Sequence, residues 1–403
     1  VNAYMGEFDY ATEVREFVNV KIAIHKGYTA DRVTAWRELR DIEQPFSRLK
    51  MVQLQEAYLL YSTGQFDKGL EELQDLRAIH IHHTDWLIDI ADIYAAQIHK
   101  IELAEETYDM ALKNDKWSRK ALTKKVKMLL SLDRIEDARN AIDEFPHLLE
   151  WYAEINLLNG LVFARSGQLD KAFEIFKKYG QQLKGELTYF NELLFATEES
   201  YKHEKIAELA LLSSGLAKEN PDLLTFSARL FNDGGDFERA QSDIEKALAV
   251  DSNYPEARIQ KARTLYGMGE REQAFDIFES VLDEDPIFGD VNYYFSQILS
   301  LENIDAPRAT NLARSAINVF YDDIKAQVNL SEVYFRFGKY DFAYGEASKA
   351  CLQYPKSALV WYEKGRAAAQ LGRKEAKASL QKAIDLGLGG EKLIKAKELL
   401  VNL

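Results

Sequence analysis

An all-α solenoid of stacked helix pairs is the fold class this sequence predicts, and three observations predict it. A small residue recurs at Ala35, Gly69, Ala104, Ala138, Ala172, Ala207, Ala240, Ala274, Ala309, Ala343 and Ala376. The spacing never leaves 33 to 35 residues, the period of a repeat array. Four of these residues close a similar turn block, Gly64-Gln-Phe-Asp-Lys-Gly69, Gly167-Gln-Leu-Asp-Lys-Ala172, Gly235-Asp-Phe-Glu-Arg-Ala240 and Gly338-Lys-Tyr-Asp-Phe-Ala343. Beyond the marker, Ala274, Phe278 and Val281, like Ala172, Phe176 and Tyr179, recur at i, i+4 and i+7 and so share one helical face.

In chain order, residues 1–10 read as an N-terminal extension and residues 11–387 as eleven repeats of one solenoid. Each repeat has a first helix ahead of its marker and a second helix running from it. Leu330, Ser331 and Tyr334 place a small residue between apolar ones in a first helix, and Asn159, Gly160 and Phe163 are their equivalents. Pro286 and Pro355 close two repeats. Repeats one, six and nine lack a clean small residue at the helix crossing, so their boundaries are the least sharply drawn. Residues 388–403 form a closing element: Gly389 and Gly390 precede a helix over 391–401, with Leu393, Ala396 and Leu400 facing the last repeat and the lysines facing water. The array is expected to end with the chain. A helix pair this short cannot bury its apolar stripe alone, whereas stacking buries it against the next pair, and small residues let the helices approach.

These residues resemble the tetratricopeptide repeat, whose pattern is W-x2-L-G-x2-Y, then A-x3-F, then P, over 34 residues. The resemblance covers residues 11–387. It implies a right-handed superhelix whose concave wall is lined mainly by the first helix of each pair, the surface on which such proteins hold partners. The implied function is a non-catalytic scaffold or adaptor for a protein or peptide.

The composition narrows the alternatives. Of 403 residues, 47% are hydrophobic and 12% aromatic, enough for a continuous core. No apolar run is long enough to span a membrane, and no stretch has the layout of a signal peptide. The chain opens on Val1, which leaves room for an export signal, an anchor or a further domain ahead of it. A soluble protein of the cytoplasm or of a bacterial periplasm is expected. With 65 acidic against 51 basic residues the formal charge is −14, which disfavours binding nucleic acid over the whole surface.

No phosphate-binding G-x-x-x-x-G-K-[ST] loop, H-E-x-x-H, G-x-S-x-G or dinucleotide-binding G-x-G-x-x-G is present, so neither a catalytic residue nor a cofactor is assigned. The single cysteine, Cys351, lies at an apolar position of a second helix and reads as buried. His80, His82 and His83 hold three of the seven histidines. Imidazoles can ligate zinc, copper or nickel, but their spacing between two repeats is that of a solvated loop, and no metal is assigned. The acidic residues Asp276, Glu279, Asp283, Glu284, Asp285 and Asp290 read as a charged outer face, since a calcium loop needs a regular alternation of ligands. The 21 tyrosines and 21 phenylalanines fall mostly at repeat core positions.

Residues 116–127, KWSRKALTKKVK, carry six cations and supply the entry and first helix of the fourth repeat. Lys120, Thr123 and Lys127 share a face that the resemblance turns toward the groove. The same phase places Thr225 and Arg229 in the seventh repeat, Ile259, Arg263 and Tyr266 in the eighth, and Tyr362 and Arg366 in the eleventh. Leu161, Gln297 and Glu332 interrupt this column. Two readings stay open: a groove for an acidic segment, or a solvated face in which Lys116, Arg119, Lys124 and Lys125 meet water and Lys120 and Lys127 pair with acidic neighbours in adjoining repeats. The lysine and asparagine set with which some tetratricopeptide proteins grip a C-terminal carboxylate is not found at matching positions. An alternative reading makes the chain the repeat region of a larger bacterial envelope secretion or polysaccharide assembly component, or of a glycosyltransferase. A third is self-association through the terminal repeats.

Overall fold

Among the described residues, the turn within a helix pair rests on a residue held in the left-handed region. Gly235 (φ 77°) and Gly338 (φ 70°) take that place in two of the turn blocks, and Asp133 (φ 57°) fills it where no glycine is available. The computed structural model describes residues 33–35, 50–183, 186–199, 203–320 and 324–403. The expected N-terminal extension lies outside these residues, and so does the first repeat apart from helical residues 33–35, where Ala35 is fully buried.

The chain forms two compact units, Val1–Leu183 and Lys184–Leu403. The first unit contains α1 (Lys50–Ser62), α2 (Phe66–Ile79), α3 (Thr84–Asp92), α4 (Ile101–Asn114), α5 (Arg119–Ser131), α6 (Ile135–Asp143), α7 (Pro146–Trp151), α8 (Ala153–Arg165) and α9 (Leu169–Tyr179). Two features depart from a plain helix pair: α3 runs on into a π-turn over Ile93–Gln97, and the short α7 is inserted ahead of α8. The second unit contains α10 (Leu187–Glu199), α11 (His203–Ala217), α12 (Pro221–Asp233), α13 (Phe237–Val250), α14 (Pro255–Gly267), α15 (Arg271–Glu284), α16 (Gly289–Leu301), α17 (Ala306–Val319), α18 (Ile324–Arg336), α19 (Tyr340–Gln353), α20 (Ala358–Gln370), α21 (Ala376–Asp385) and α22 (Gly390–Val401). The described residues of both units are helices in tandem, the predicted α-solenoid of helix-turn-helix repeats. No described helix is long and apolar enough to cross a membrane.

Local sequence sets the helix starts. Asn220 accepts a hydrogen bond from the Leu223 amide at 3.0 Å ahead of Pro221, and Asp236 accepts one from the Arg239 amide at 3.2 Å. At the helix crossings the marker residues are buried, and at Gly69 a Cβ would meet the Tyr61 backbone nitrogen at 2.4 Å, so only glycine fits there. Ala207 is the exception. It is exposed, and the buried face of α11 runs instead through Leu209, Ala210, Ser213 and Ala217. A one-residue error of phase rotates a helix position by about 100°, enough to move it from core to solvent.

In the second unit a continuous apolar core joins α14 to α20 through Ala274, Phe278, Phe295, Ala309, Leu330, Tyr334 and Ala343. The Phe278 and Phe295 rings stack with centroids 5.0 Å apart. Each second helix packs on its own partner and on the next first helix, while α12, α14, α16, α18 and α20 also pack successively on one another. The first helices therefore form one wall of the unit. Buried polar contacts tie it together: Asn232 donates to the Gln260 carbonyl at 3.1 Å and accepts from the Thr264 hydroxyl at 2.9 Å, and Asn329 donates to Ser296 Oγ at 2.9 Å.

The closing helix α22 packs on α20 and α21 through Leu393, Ala396 and Leu400. Lys392 is only partly exposed. It reaches back to Glu363 at 3.2 Å and Glu332 at 3.7 Å, because α22 lies where a further first helix would, beside two carboxylates that need a cation.

Candidate partner-binding wall

In the first unit the wall is made by α3, α5 and α8, and acidic side chains of α3 and α8 meet the cations of α5. Lys120 reaches Asp89 at 3.3 Å, Lys124 reaches Asp92 at 3.0 Å, and Arg119 and Lys127 approach Glu154 at 3.4 and 4.0 Å. Lys50 makes a second contact to Asp89 at 2.5 Å. Lys124 and Lys125, expected in water, are both engaged: Lys125 is buried and pairs with Asp109 of its neighbour α4. Thr123 is buried between helices, its hydroxyl without a hydrogen-bond partner among the described residues. Charge on this wall is therefore largely balanced between helices of the same chain.

The second unit's wall runs through α10, α12, α14, α16, α18 and α20. Arg263 extends from α14 to Asp233 of α12 at 2.6 Å, takes Gln260 Oε1 at 2.9 Å, and lays its guanidinium 4.0 Å from the Tyr294 ring centroid of α16. Tyr293 and Tyr294 adjoin edge to face with centroids 5.0 Å apart, and burial pushes both phenols above their ordinary value. Tyr266 donates to Glu302 at 2.6 Å, and burial, followed by that hydrogen bond, pushes its phenol up to about 12. Thr225 and Tyr362 are buried. Arg366 closes on Glu363 of its own helix through Nη2, packs against Phe335 with the guanidinium 4.2 Å from the ring centroid, and leaves Nε without a hydrogen bond among the described residues.

Arg229 differs from the other predicted cations. It is half-buried beside the Phe226 ring, 5.2 Å from the centroid, and its partner among the described residues is the neutral amide of Asn191 on α10, whose Oδ1 accepts at 3.3 Å. Two turns further along α10, Glu198 takes Lys325 of α18, with Nζ at 3.1 and 3.2 Å from its two oxygens. Residues 127 apart thus meet across the first-helix face, with α12, α14 and α16 between them in the array. The wall of the second unit is concave, since α10 and α18 could not otherwise exchange a side-chain contact.

Repeat phase alone located Arg229 and Arg263, but not the residues that decide what they do. Asp89, Asp92 and Asp233 lie on first helices at positions the same phase would have turned inward, so their signal was available. Glu198 and Lys325 had none, because four repeats separate them.

The remaining candidates are also placed. His80 stacks on Trp86 with centroids 3.6 Å apart, and burial, followed by the nearby His83, holds its pKa below the ordinary value. No cluster of three metal-ligating side chains occurs among the described residues. Cys351 is buried, which pushes its thiol up to about 11. In the acidic run, Glu279 pairs with Arg308 and Glu284 with Arg258 at 2.6 Å, whereas Asp276 and Asp283 are exposed.

A family model described as tetratricopeptide repeat matches residues 232–293, from the end of α12 into α16. Solved structures similar to the chain include yeast Tom70 (14% identity, covering 88% of this chain and 96% of that one, TM-score 0.41). They also include the APC/C hetero-tetramer Cut9–Hcn1 (13%, 95% and 76%, TM-score 0.45). A third is a tetratricopeptide repeat protein from Parabacteroides merdae (16%, 79% and 97%, TM-score 0.38). No curated protein sequence matches the chain.

Proposed function

We propose that this tetratricopeptide-repeat protein is a non-catalytic scaffold that holds a segment of a partner protein against the first-helix wall of its second unit. The observation that carries this reading is the concave wall itself. Arg229 on α12 and Tyr293, Tyr294 and Gln297 on α16 stand half-exposed, on first helices that flank α14. Aromatic rings and an arginine on a preformed surface suit a segment that lies along it, because few side chains need be immobilised on binding. The wall of the first unit is a weaker candidate, since its cations already meet Asp89, Asp92 and Glu154.

The test is affinity capture from the source cells with wild type and with an Arg229→Glu/Gln297→Glu variant of unchanged circular dichroism and melting temperature. A partner enriched by wild type and lost with the variant is the expected result. The same partners with both proteins would rule the wall out and move the search to the edges of the array.

A further inference from the structure

We propose that Glu198 is an internal occupant of the partner site: its carboxylate holds Lys325 in the place that a carboxylate of an incoming acidic segment takes, and binding exchanges one for the other. The inference rests on the reading of the second unit's wall as the binding surface and specifies the chemistry of the segment.

The first ground is the distribution of charge partners. Lys120, Lys124, Arg263 and Arg366 all reach carboxylates on their own or a neighbouring first helix, contacts built into the packing of the array. Arg229 has only the Asn191 amide, at 3.3 Å, and no carboxylate among the described residues. Lys325 reaches Glu198 from across the wall.

The second ground is how readily the contact opens. The Lys325 and Glu198 side chains are 52% and 38% exposed, and no packing between α10 and α18 of the kind that joins adjoining helices accompanies the pair. A solvent-exposed pair of this kind contributes little and weakens with salt, so a ligand carboxylate can replace Glu198 at small cost.

The third ground is spacing. Asn191 and Glu198 lie seven residues apart on α10, roughly 10 Å along a helix rising about 1.5 Å per residue. Arg229 meets the first of these positions and Lys325 the second. An extended polyproline-II segment returns to the same side every three residues, a rise of roughly 9 Å. Two acidic residues at i and i+3 of such a segment match the two cations, and both contacts would be charge-assisted.

The experiment uses the full chain and a fluorescein-labelled peptide, Gly-Glu-Pro-Ala-Glu-Pro-Gly, with its diglutamine analogue as control, in fluorescence anisotropy at low salt. The expected result is binding of the diglutamate peptide over the control. Glu198→Gln should tighten it about two- to five-fold, the effect of removing a weak competing carboxylate. Arg229→Gln and Lys325→Gln should each weaken it. If Arg229→Gln weakens binding while Glu198→Gln leaves it unchanged, the exchange is refuted and the wall reading stands. If no variant differs from wild type, or Lys325→Gln tightens binding, the acidic-segment assignment fails. A partner still captured through the wall would in that case keep the proposed function alive.

Discussion

Lys392 of the closing helix places its ammonium 3.2 Å from the carboxylate of Glu363, a side chain only 1% exposed. The contact joins α22 to the final repeat and gives a charge buried in α20 a cation that the repeat itself does not fully supply. Replacing Lys392 by Met should destabilise the chain by about 1–3 kcal/mol, the usual cost of losing a hydrogen bond to a charged group. The loss should be local, because α22 packs chiefly on α20 and α21, and elements with few packing neighbours open first. Hydrogen exchange should therefore show faster exchange in α22 with little change in α12–α16; uniform acceleration would contradict this.

Glu363 also sets a pH dependence of definite sign. Burial raises its folded-state pKa above the ordinary 4.5, against the pull of Arg366 and Lys392. Between the unfolded and folded values the native chain keeps a proton that the unfolded chain has released. The stability contributed by this group is thus complete below about pH 4.5 and is lost as pH rises through the folded value. Glu332 runs the other way: there burial is outweighed by Lys392, Arg366 and Arg336, and stability is lost as pH falls. The isolating measurement is the urea midpoint of wild type minus that of Glu363→Gln, which should decline from pH 4 towards neutrality. A flat difference would show that Glu363 keeps its ordinary pKa.

Two glycines separate packing from backbone strain. At Gly365 a Cβ would lie 2.7 Å from Leu380 Cγ and 2.9 Å from the Leu380 backbone nitrogen, so Gly365→Ala should force α20 and α21 apart and destabilise by about 1–3 kcal/mol. Gly372 has φ +63° and open space around its missing Cβ, so Gly372→Ala should lose about 1–2 kcal/mol through conformation alone. Thermal melts measure both. In the Gly365 variant a further trim, Leu380→Ala, should be tolerated better than in wild type, a coupling that the Gly372 variant should lack.

Cys351 should be chemically quiet. Its burial in α19 and its raised pKa leave almost no accessible thiolate at pH 8. Iodoacetamide should modify it slowly in native buffer and quickly in urea. Comparable rates in the two conditions would mean that α19 opens readily.

Period and pattern alone determined the helix pairs, their turns and the closing helix, because the 34-residue repeat and the i, i+4, i+7 stripes are local features, and each pair buries its stripe in the same way. Ala207 is the exception, because α11 carries several small residues and only packing against its neighbours chooses among them. Repeat phase also placed Arg229 and Arg263 on first helices of the wall, since it is itself local. Tertiary structure decided what those cations meet: Asp233 and Tyr294 for Arg263, a neutral amide for Arg229, and carboxylates for the lysines of α5. It alone brought Lys325 to Glu198. Helix formation and pairing depend on neighbours within one repeat, whereas the pairing of charges depends on how successive repeats rotate and curve, a sum of small packing angles that no single repeat records.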